Sequence, residues 1–356
     1  MKRKIAVFAL LIAAVSAKAQ NSRYKIVEND PDKARTTTLD LQIFDLGWYQ
    51  GIGMSLGGRA HTFLTPKVEP FLAYKKAYVN DPAISDGAYD GTIVSKGGIK
   101  SGIAAEAGCS YYFFSRKVAS TTKMNLNAVA SRDLILQYYS EVPTIVKHMV
   151  GARGGITYNR RTMDLYDQTH PYYFYKSSDG KYTVPIDDFD PKVSHLQPAG
   201  FAANPYTNMH VVAIFAGICY KNIKHTKIDV EDVGRRQKAK NLDLYADVMF
   251  APIMGIANVI DTQKREWLIV PHTNTMHRFG YRVGLSKHSG KTVGTTYTLE
   301  AGKKPAAAIG QGFFNTGGFI NITYGMCIST AWKLLKQPKT PPPLPVDIKD
   351  NSAPKI

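Results

Sequence analysis

The feature of this sequence that most constrains its fold is an alternation of apolar and polar residues with a period of two. The clearest case runs from residue 319 to residue 332. One face there is Ile320, Ile322, Tyr324, Met326, Ile328, Thr330 and Trp332, and the other is Asn321, Thr323, Gly325, Cys327, Ser329 and Ala331. Because successive side chains of a β-strand point to opposite faces, the pattern predicts strands. Beyond residue 20, the longest candidate apolar run is the ten residues 211–220, which is too short for a transmembrane helix.

Ten segments are predicted to be strands. They are 38–47, 50–64, 68–78, 98–115, 123–140, 145–160, 207–221, 240–252, 276–287 and 316–332. Many of them have ten or more residues, whereas strands of soluble proteins average about five or six. The fold class is therefore all-β, with about ten strands, and eight or twelve are also compatible with the pattern.

Two architectures share this alternation, a secreted β-sandwich and a transmembrane antiparallel β-barrel. In the sandwich the apolar face forms the core, and in the barrel it contacts lipid while the polar face lines the lumen. The long strands favour the barrel, because a tilted strand of this length crosses a bilayer. Tyr, Trp and Phe near several strand ends also favour it, as in the aromatic belts at membrane interfaces.

The first nineteen residues predict export. Lys2, Arg3 and Lys4 precede an apolar run from Ile5 to Val15, and small residues then lead to a cleavage position before Gln20. A short membrane anchor is the alternative. Cleavage would remove four basic residues and lower the formal charge of the chain from +17 to +13. Residues 20–37 are then an N-terminal periplasmic segment, and an exported chain makes nucleic acid the least favoured polyanion partner.

Together these features resemble outer-membrane β-barrel proteins of Gram-negative bacteria. The resemblance rests on the signal peptide, the alternating strands and a last strand that ends in an aromatic residue. In that group such a strand is the signal read by the barrel-assembly machinery, and the matching residues are Ile320, Ile322, Tyr324, Met326, Ile328 and Trp332. One departure is that residues 333–356 follow the aromatic residue, and the resemblance places this tail in the periplasm.

The polar face of the predicted strands carries seven charged residues that are candidates for the lumen. They are Arg59, Glu106, Arg153, Asp243, Asp247, Arg278 and Arg282. In a narrow barrel they would form an ion-pair network that fills the interior. In a wider barrel the arginines would line a pore that favours anions.

The segments between the predicted strands include several long polar connections. The longest, 161–206, is rich in tyrosine and predicts a folded cap or plug rather than a linker, whereas 222–239 and 288–315 are predicted loops. The barrel is expected to span 38–332. The tail contains Pro341, Pro342, Pro343 and Pro345, which predict an extended segment that either binds a partner or acts as a spacer.

The sequence supports no cofactor and no metal site. Cys109, Cys219 and Cys327 lie far apart within apolar segments and predict free thiols, and no cysteine–histidine cluster has the spacing of a zinc site. His170 lies near several aspartates of the predicted cap, but their spacing matches no catalytic motif.

The sequence therefore predicts a non-enzymatic outer-membrane barrel, a structural or accessory subunit of an envelope complex for secretion, assembly or surface attachment. Its expected partners are outer-membrane lipids with anionic head groups, the barrel-assembly machinery, and an envelope protein bound through the cap or the tail. A channel for small anionic solutes is the alternative, and a hydrolase at the barrel rim is a third candidate.

Overall fold

The computed structural model describes residues 24–34, 37–49, 52–79, 94–95, 102–131, 134–164, 173–177, 183–185, 206–231, 234–260, 266–271, 276–289, 292–308, 313–314 and 316–330. The strands are β1 (Tyr24–Glu28), β2 (Thr37–Tyr49), β3 (Ile52–Thr62), β4 (Val68–Val79), β5 (Val94–Ser95), β6 (Ile103–Ser131), β7 (Leu134–Asp164), β8 (Tyr173–Ser177), β9 (Thr183–Pro185), β10 (Tyr206–Val230), β11 (Gly234–Ile256), β12 (Val259–Ile260), β13 (Glu266–Pro271), β14 (Met276–His277), β15 (Phe279–His288), β16 (Val293–Lys303), β17 (Ala306–Ala307) and β18 (Gly318–Thr330). A 3-10 turn, Pro31–Lys33, follows β1. No helix in these ranges has the length and apolarity needed to cross a membrane.

Ten of these strands form a closed antiparallel barrel. Their order is β2, β3, β4, β6, β7, β10, β11, β15, β16 and β18. The barrel closes where β18 pairs with β2, from Phe319 opposite Tyr49 to Thr330 opposite Thr37. Closure pairs the first and last strands of the wall with each other, so neither of them is left as a free edge. The predicted all-β barrel of about ten strands is confirmed.

The ten strands are not the ten predicted segments. The predicted strands 98–115, 123–140 and 145–160 are two long strands, since β6 has 29 residues and β7 has 31. The predicted loop 288–315 was wrong, because it contains the barrel strand β16, whose polar threonines weaken the apolar pattern. The loop 222–239 was also wrong, because β10 and β11 continue through it as a hairpin.

The outer surface of the barrel is a belt of apolar side chains. On β15 the outward residues are Phe279, Tyr281, Val283 and Leu285, and Phe279 is 73% exposed. On β18 they are Ile320, Ile322, Tyr324, Met326 and Ile328. The alternate positions, such as Arg282 and Asn321, are buried inside. This inversion of the usual arrangement in soluble proteins makes the belt a lipid-facing surface.

The two ends of the barrel differ. At the end where β2 begins and β18 stops, here named the terminal end, the connections 63–67, 132–133, 231–233 and 289–292 are short. The opposite end, the loop end, carries the longer connections 80–102, 165–205, 257–278 and 304–317. Short turns on the side of the termini and long loops on the other side are the usual arrangement in outer-membrane barrels.

Two hairpins extend the wall beyond the belt at the terminal end. One hairpin is formed by residues 116–147 of β6 and β7, and the other by residues 222–240 of β10 and β11. These two hairpins and the segment Tyr24–Lys33 are together named the extension. Met124, Leu126, Val142, Ile228 and Val230 form a buried apolar cluster between the hairpins. Since this cluster belongs to both hairpins, the extension has a small core of its own.

The first strand completes the extension. β1 pairs with the end of β10, from Tyr24 opposite Val230 to Glu28 opposite Lys227. Asn29 then joins the other hairpin, because its side-chain oxygen accepts a hydrogen bond from the Ile145 amide at 2.8 Å. The predicted N-terminal segment therefore includes a strand.

At the loop end, short strands form a second layer of pairing. β8 and β9 lie within the predicted cap 161–206, and β8 pairs with β13 on one side and with β9 on the other. The two ends of that segment belong to β7 and β10, and its remaining residues, including His170, are outside the described residues. Residues 1–19, Trp332 and the tail 333–356 are outside them as well. Cys109, Cys219 and Cys327 are free thiols, as predicted.

Candidate functional site

The barrel interior is filled across its middle by an ion-pair network. Of the seven predicted residues, Arg59, Glu106, Arg153, Asp243, Asp247 and Arg282 lie on the lumenal side. They come from β3, β6, β7, β11 and β15, because each lies on the polar face of its alternating strand.

The central ion pairs join five strands, β6, β7, β11, β15 and β16. Glu106 accepts hydrogen bonds from Arg153 at 3.0 Å and from both terminal nitrogens of Arg282, at 2.5 and 2.9 Å. Asp247 accepts a hydrogen bond from Nε of Arg282 at 2.8 Å and lies 3.4 Å from Nε of Arg153. Glu300, which the sequence did not single out, lies 3.7 Å from Arg282 and accepts a hydrogen bond from Tyr245. Paired charges of this kind satisfy one another away from water.

Aromatic rings close the space between these charges. The Arg153 guanidinium lies 3.9 Å from the centre of the Tyr245 ring, and the Arg282 guanidinium lies 4.9 Å from that of Phe215. Phe215 in turn packs with Phe71 and Met249 as a buried apolar cluster. Guanidinium groups over aromatic faces add cation–π attraction to the ion pairs. The middle of the lumen is therefore packed rather than open.

A second polar cluster lies nearer the terminal end. The ammonium of Lys221 is fully buried, 2.5 Å from Glu69 and 3.2 Å from Asp243. Tyr112 donates a hydrogen bond to Glu69 at 2.6 Å. Of these, only Asp243 was a predicted lumen residue, and Lys221 directly follows the apolar run 211–220. The strand alternation places Lys221 in the lumen because it is two residues from the buried Cys219.

Arg278 does not join the lumenal residues. It lies at the loop end, is exposed, and donates hydrogen bonds to the backbone oxygens of Ala251 and Pro252 at 3.0 and 2.9 Å. The strand β15 begins only at Phe279. Arg278 therefore lies before the stretch in which side chains alternate between the lipid and the lumen. The prediction for Arg278 was therefore wrong.

A cavity of about 230 Å³ lies above the network, toward the loop end. Its lining includes the cations Arg59, Lys75, Arg160, Arg161, Arg282 and Lys304 and the acids Asp45, Glu106 and Glu300. Tyr49 at the end of β2 forms part of its wall, and Arg161 lies 5.1 Å from the centre of that ring. The cavity therefore carries an excess of positive charge and has the central network as its floor.

A basic groove lies in the extension. It has a volume of about 830 Å³ and is bounded by β6, β7, β11, β15 and β16. Its six cationic lining residues are Lys123, Arg235, Arg236, Lys238, Lys240 and Lys287, and no acidic residue belongs to the described lining. Tyr139 and Tyr297 add aromatic surface. We name this site the basic groove.

The cations of the extension repel one another. Partial burial and the nearby Lys240 ammonium lower the pKa of Lys224, and burial with Lys240 and Lys224 lowers the pKa of Lys238. Lys238 donates a hydrogen bond to the backbone oxygen of Lys123, and Lys224 does so to that of Thr121 at 3.4 Å. Backbone oxygens hold these ammonium groups in place without neutralising them. An anion bound in the groove would relieve the repulsion.

The closed wall, the apolar belt and the polar lumen together define the class of this protein. It is a transmembrane β-barrel of the outer-membrane type. The outward side chains that resemble a barrel-assembly signal, Ile320, Ile322, Tyr324, Met326 and Ile328, lie on the strand that closes the wall.

Comparisons with known proteins add no family. No family model and no curated protein matches the chain. Among solved structures, a bacterial polysaccharide outer membrane secretin is 8% identical, with a TM-score of 0.19 over 83% of this chain and 99% of that one. The outer-membrane expressed OmpT of Vibrio cholerae is 9% identical, with a TM-score of 0.16 over 85% and 99% of the two chains. OprB of Pseudomonas putida is 10% identical, with a TM-score of 0.16 over 78% of this chain and 59% of that one.

Proposed function

We propose that this chain is a non-enzymatic outer-membrane barrel that acts as a structural or accessory subunit of an envelope complex. It would be exported by the signal peptide 1–19 and inserted by the barrel-assembly machinery. In this orientation the terminal end, with the extension, faces the periplasm. The observation that carries the proposal is the pairing of a packed lumen with a folded extension that presents a basic groove.

The extension is suited to docking because it is larger than the barrel wall requires. The belt on β18 extends over Ile320–Ile328, nine residues, whereas β6 and β7 have 29 and 31. A bilayer crossing needs about 9–11 residues of tilted strand. The additional residues form a separate core and a groove, which have no role in crossing the bilayer.

The chemistry of the groove favours an acidic protein segment as its occupant. Six cations converge there, and the tyrosines provide contact surface that costs little conformational entropy when it is ordered. Part of the groove is formed by residues 235–240, in the hairpin beyond the apolar belt, where head groups of the bilayer are farther away than at the rim. Anionic lipid is the competing occupant.

Photo-crosslinking from the groove tests this proposal. A photoreactive residue replaces Lys240 in the groove or, as the control, Lys25 on the exposed side of β1. We expect the Lys240 position to capture an envelope protein, with a yield that falls as salt rises because the attraction is electrostatic. A lipid adduct, or equal capture of the same protein from position 25, would contradict docking in the groove.

Charge reversal provides the second arm. Arg235→Glu, Arg236→Glu and Lys238→Glu together should remove the crosslinked partner, whereas reversal of three exposed cations elsewhere, Lys25, Lys67 and Arg116, should retain it. Deleting residues 333–356, with Pro341, Pro342, Pro343 and Pro345, separates the contribution of the tail. Loss of the partner only in the deletion would transfer the docking role from the groove to the tail.

The cationic cavity favours a second candidate function, passage of small anionic solutes. The cavity opens toward the loop end, and its lining has more cations than acids. The packed network beneath it opposes this function in the described conformation. Bilayer conductance of the purified protein separates the two candidate functions.

A further inference from the structure

Three residues far apart in sequence meet inside the barrel near the terminal end. Asp40 is the fourth residue of β2, His61 is the second-to-last residue of β3, and His288 is the last residue of β15. All three are buried, and one ligand atom of each lies within 4.8 Å of the others. Asp40 and His61 lie on the paired strands β2 and β3. β16 and β18 separate β15 from β2 around the wall, so His288 meets the other two residues across the lumen.

We propose that Asp40, His61 and His288 bind a divalent transition metal ion, with Zn²⁺ as the best-fitting candidate. Two imidazoles and one carboxylate are a common protein ligand set for zinc, with water in the fourth position. In a tetrahedral site with bonds of about 2.0–2.1 Å, ligand atoms lie about 3.3 Å apart. Nδ1 of His288 is 3.1 Å from Oδ1 of Asp40, so this pair already has the required spacing.

The hydrogen bonds of His61 leave one ring nitrogen available to a metal. Nδ1 of His61 donates to Oε1 of Glu69 at 2.7 Å, since the carboxylate has no proton to give. His61 is only 7% exposed, and its Nε2 is buried and has no hydrogen-bond partner among the described residues. A buried nitrogen lone pair with no partner is costly. A carboxylate that orients a histidine through its other nitrogen is the usual support of a zinc ligand.

His288 is oriented in a similar way from the opposite side. Its Nε2 lies 3.0 Å from Oγ of Ser286 and 3.6 Å from Oδ2 of Asp243. With a proton on Nε2 donated to this pair, the Nδ1 lone pair lies beside Asp40 at 3.1 Å and accepts only a long hydrogen bond, 3.4 Å, from the Thr296 hydroxyl, which a metal ion would replace. In both imidazoles one ring nitrogen is therefore hydrogen-bonded to an oxygen acceptor, and the other ring nitrogen faces the centre of the cluster.

The charges in direct contact with the cluster also favour a cation. Asp40, Glu69 and Asp243 are acidic, and Lys221 is the lysine paired with the last two of them. The Arg59 guanidinium also interacts electrostatically with Asp40 and Asp243. A divalent ion would offset the one negative charge that remains. It would also link β2, β3 and β15 across the lumen and so stiffen the rim from which the extension projects.

Metal binding to the purified, refolded barrel tests the inference. The protein is treated with a chelator, dialysed, and titrated with Zn²⁺ by calorimetry and with Co²⁺ by visible absorption. We expect one Zn²⁺ per chain and visible Co²⁺ bands of a low-symmetry nitrogen–oxygen site. His61→Gln and Asp40→Asn should each weaken Zn²⁺ binding by at least about 100-fold, because each removes a ligand.

The control replaces a buried histidine that does not belong to this cluster. His225 lies in the extension, 3.5 Å from Glu28, and His225→Gln should leave Zn²⁺ affinity unchanged. Heat-modifiable gel mobility shows that each variant is folded. Zn²⁺ should also raise the thermal midpoint of the chelated wild type but not of His61→Gln. Absence of Zn²⁺ binding by the folded wild type, or binding unchanged in both ligand variants, would overturn the inference.

Discussion

At the scale of single residues, the lumen depends on charges that are removed from water in balanced sets. Lys221 is the clearest case, because its ammonium is fully buried between Glu69 and Asp243. Removing one partner of such a set leaves the others buried without compensation, which costs much more than the intact set contributes. Tyr112 supports Glu69 with a further hydrogen bond but carries no balancing charge.

Replacing Lys221 by methionine should therefore destabilise the barrel strongly. The side-chain volume is nearly kept, but two carboxylates lose their cation, and we expect a loss of about 3–5 kcal/mol in the free energy of unfolding. Urea titration in lipid vesicles, followed by tryptophan fluorescence, measures it. Lys67→Met, in the exposed turn after β3, is the control and should change the value by less than about 0.5 kcal/mol. Equal stability of the two variants would show that the buried set is not needed.

The sequence predicted which charged residues face the lumen better than it predicted which residues they contact there. Arg153, Asp247 and Arg282 lie on strands with clear alternation, so the period of two assigns them to the polar face. Asp40 and His61 belong to such strands as well, but their meeting with His288 depends on barrel closure, which joins residues more than 200 positions apart. No local spacing carries that information, and for this reason the sequence pattern did not bring these three residues together.

At the scale of elements, the extension is held together by side chains from a segment outside the barrel wall. Asn29 accepts a hydrogen bond from the Ile145 amide at 2.8 Å and donates one to the Pro143 oxygen at 3.3 Å. Lys117 and Lys147 bind Asp32 of the following turn at 2.6 and 2.7 Å. The N-terminal segment therefore bridges the two hairpins.

Asn29→Ala should loosen this bridge without opening the barrel. Loss of the side chain leaves the Ile145 amide without its partner, which costs about 1–3 kcal/mol. We expect hydrogen exchange at residues 24–28 to accelerate by about 5- to 100-fold, while exchange in β18 stays unchanged. Lys25→Ala, on the exposed face of β1, provides the comparison. Exchange that is equally slow in both variants would argue that strand pairing alone holds β1.

The boundaries of these long elements were beyond the reach of the sequence pattern. A strand that crosses the membrane can be recognised from its sequence, because contact with lipid requires an apolar residue at every second position. In the extension the outer face meets water, so the stretch 222–239 has the mixed charge of a loop, although residues 222–230 pair with residues 234–242. The same loss of contrast divided β6 and β7 into three predicted strands.

At the scale of the whole molecule, a barrel of ten strands has little interior space once its side chains are placed. Here the centre holds the Glu106, Arg153, Asp247 and Arg282 network together with Phe71 and Phe215. The packed centre favours an anchoring role for the barrel, whereas the cationic cavity above it favours solute binding. Conductance decides between a sealed barrel and a channel.

The purified wild-type protein should show only background conductance in a planar bilayer, because the central side chains fill the lumen. Glu106→Ala, Arg153→Ala and Phe215→Ala together remove one acid, one cation and one ring, and should produce anion-favouring current steps because Arg59 and Arg282 remain. Ile218→Ala and Val248→Ala, on the lipid face, are the control and should stay silent. Steady anion current through the wild type would instead favour the channel function, since a packed centre that conducts must open in the membrane.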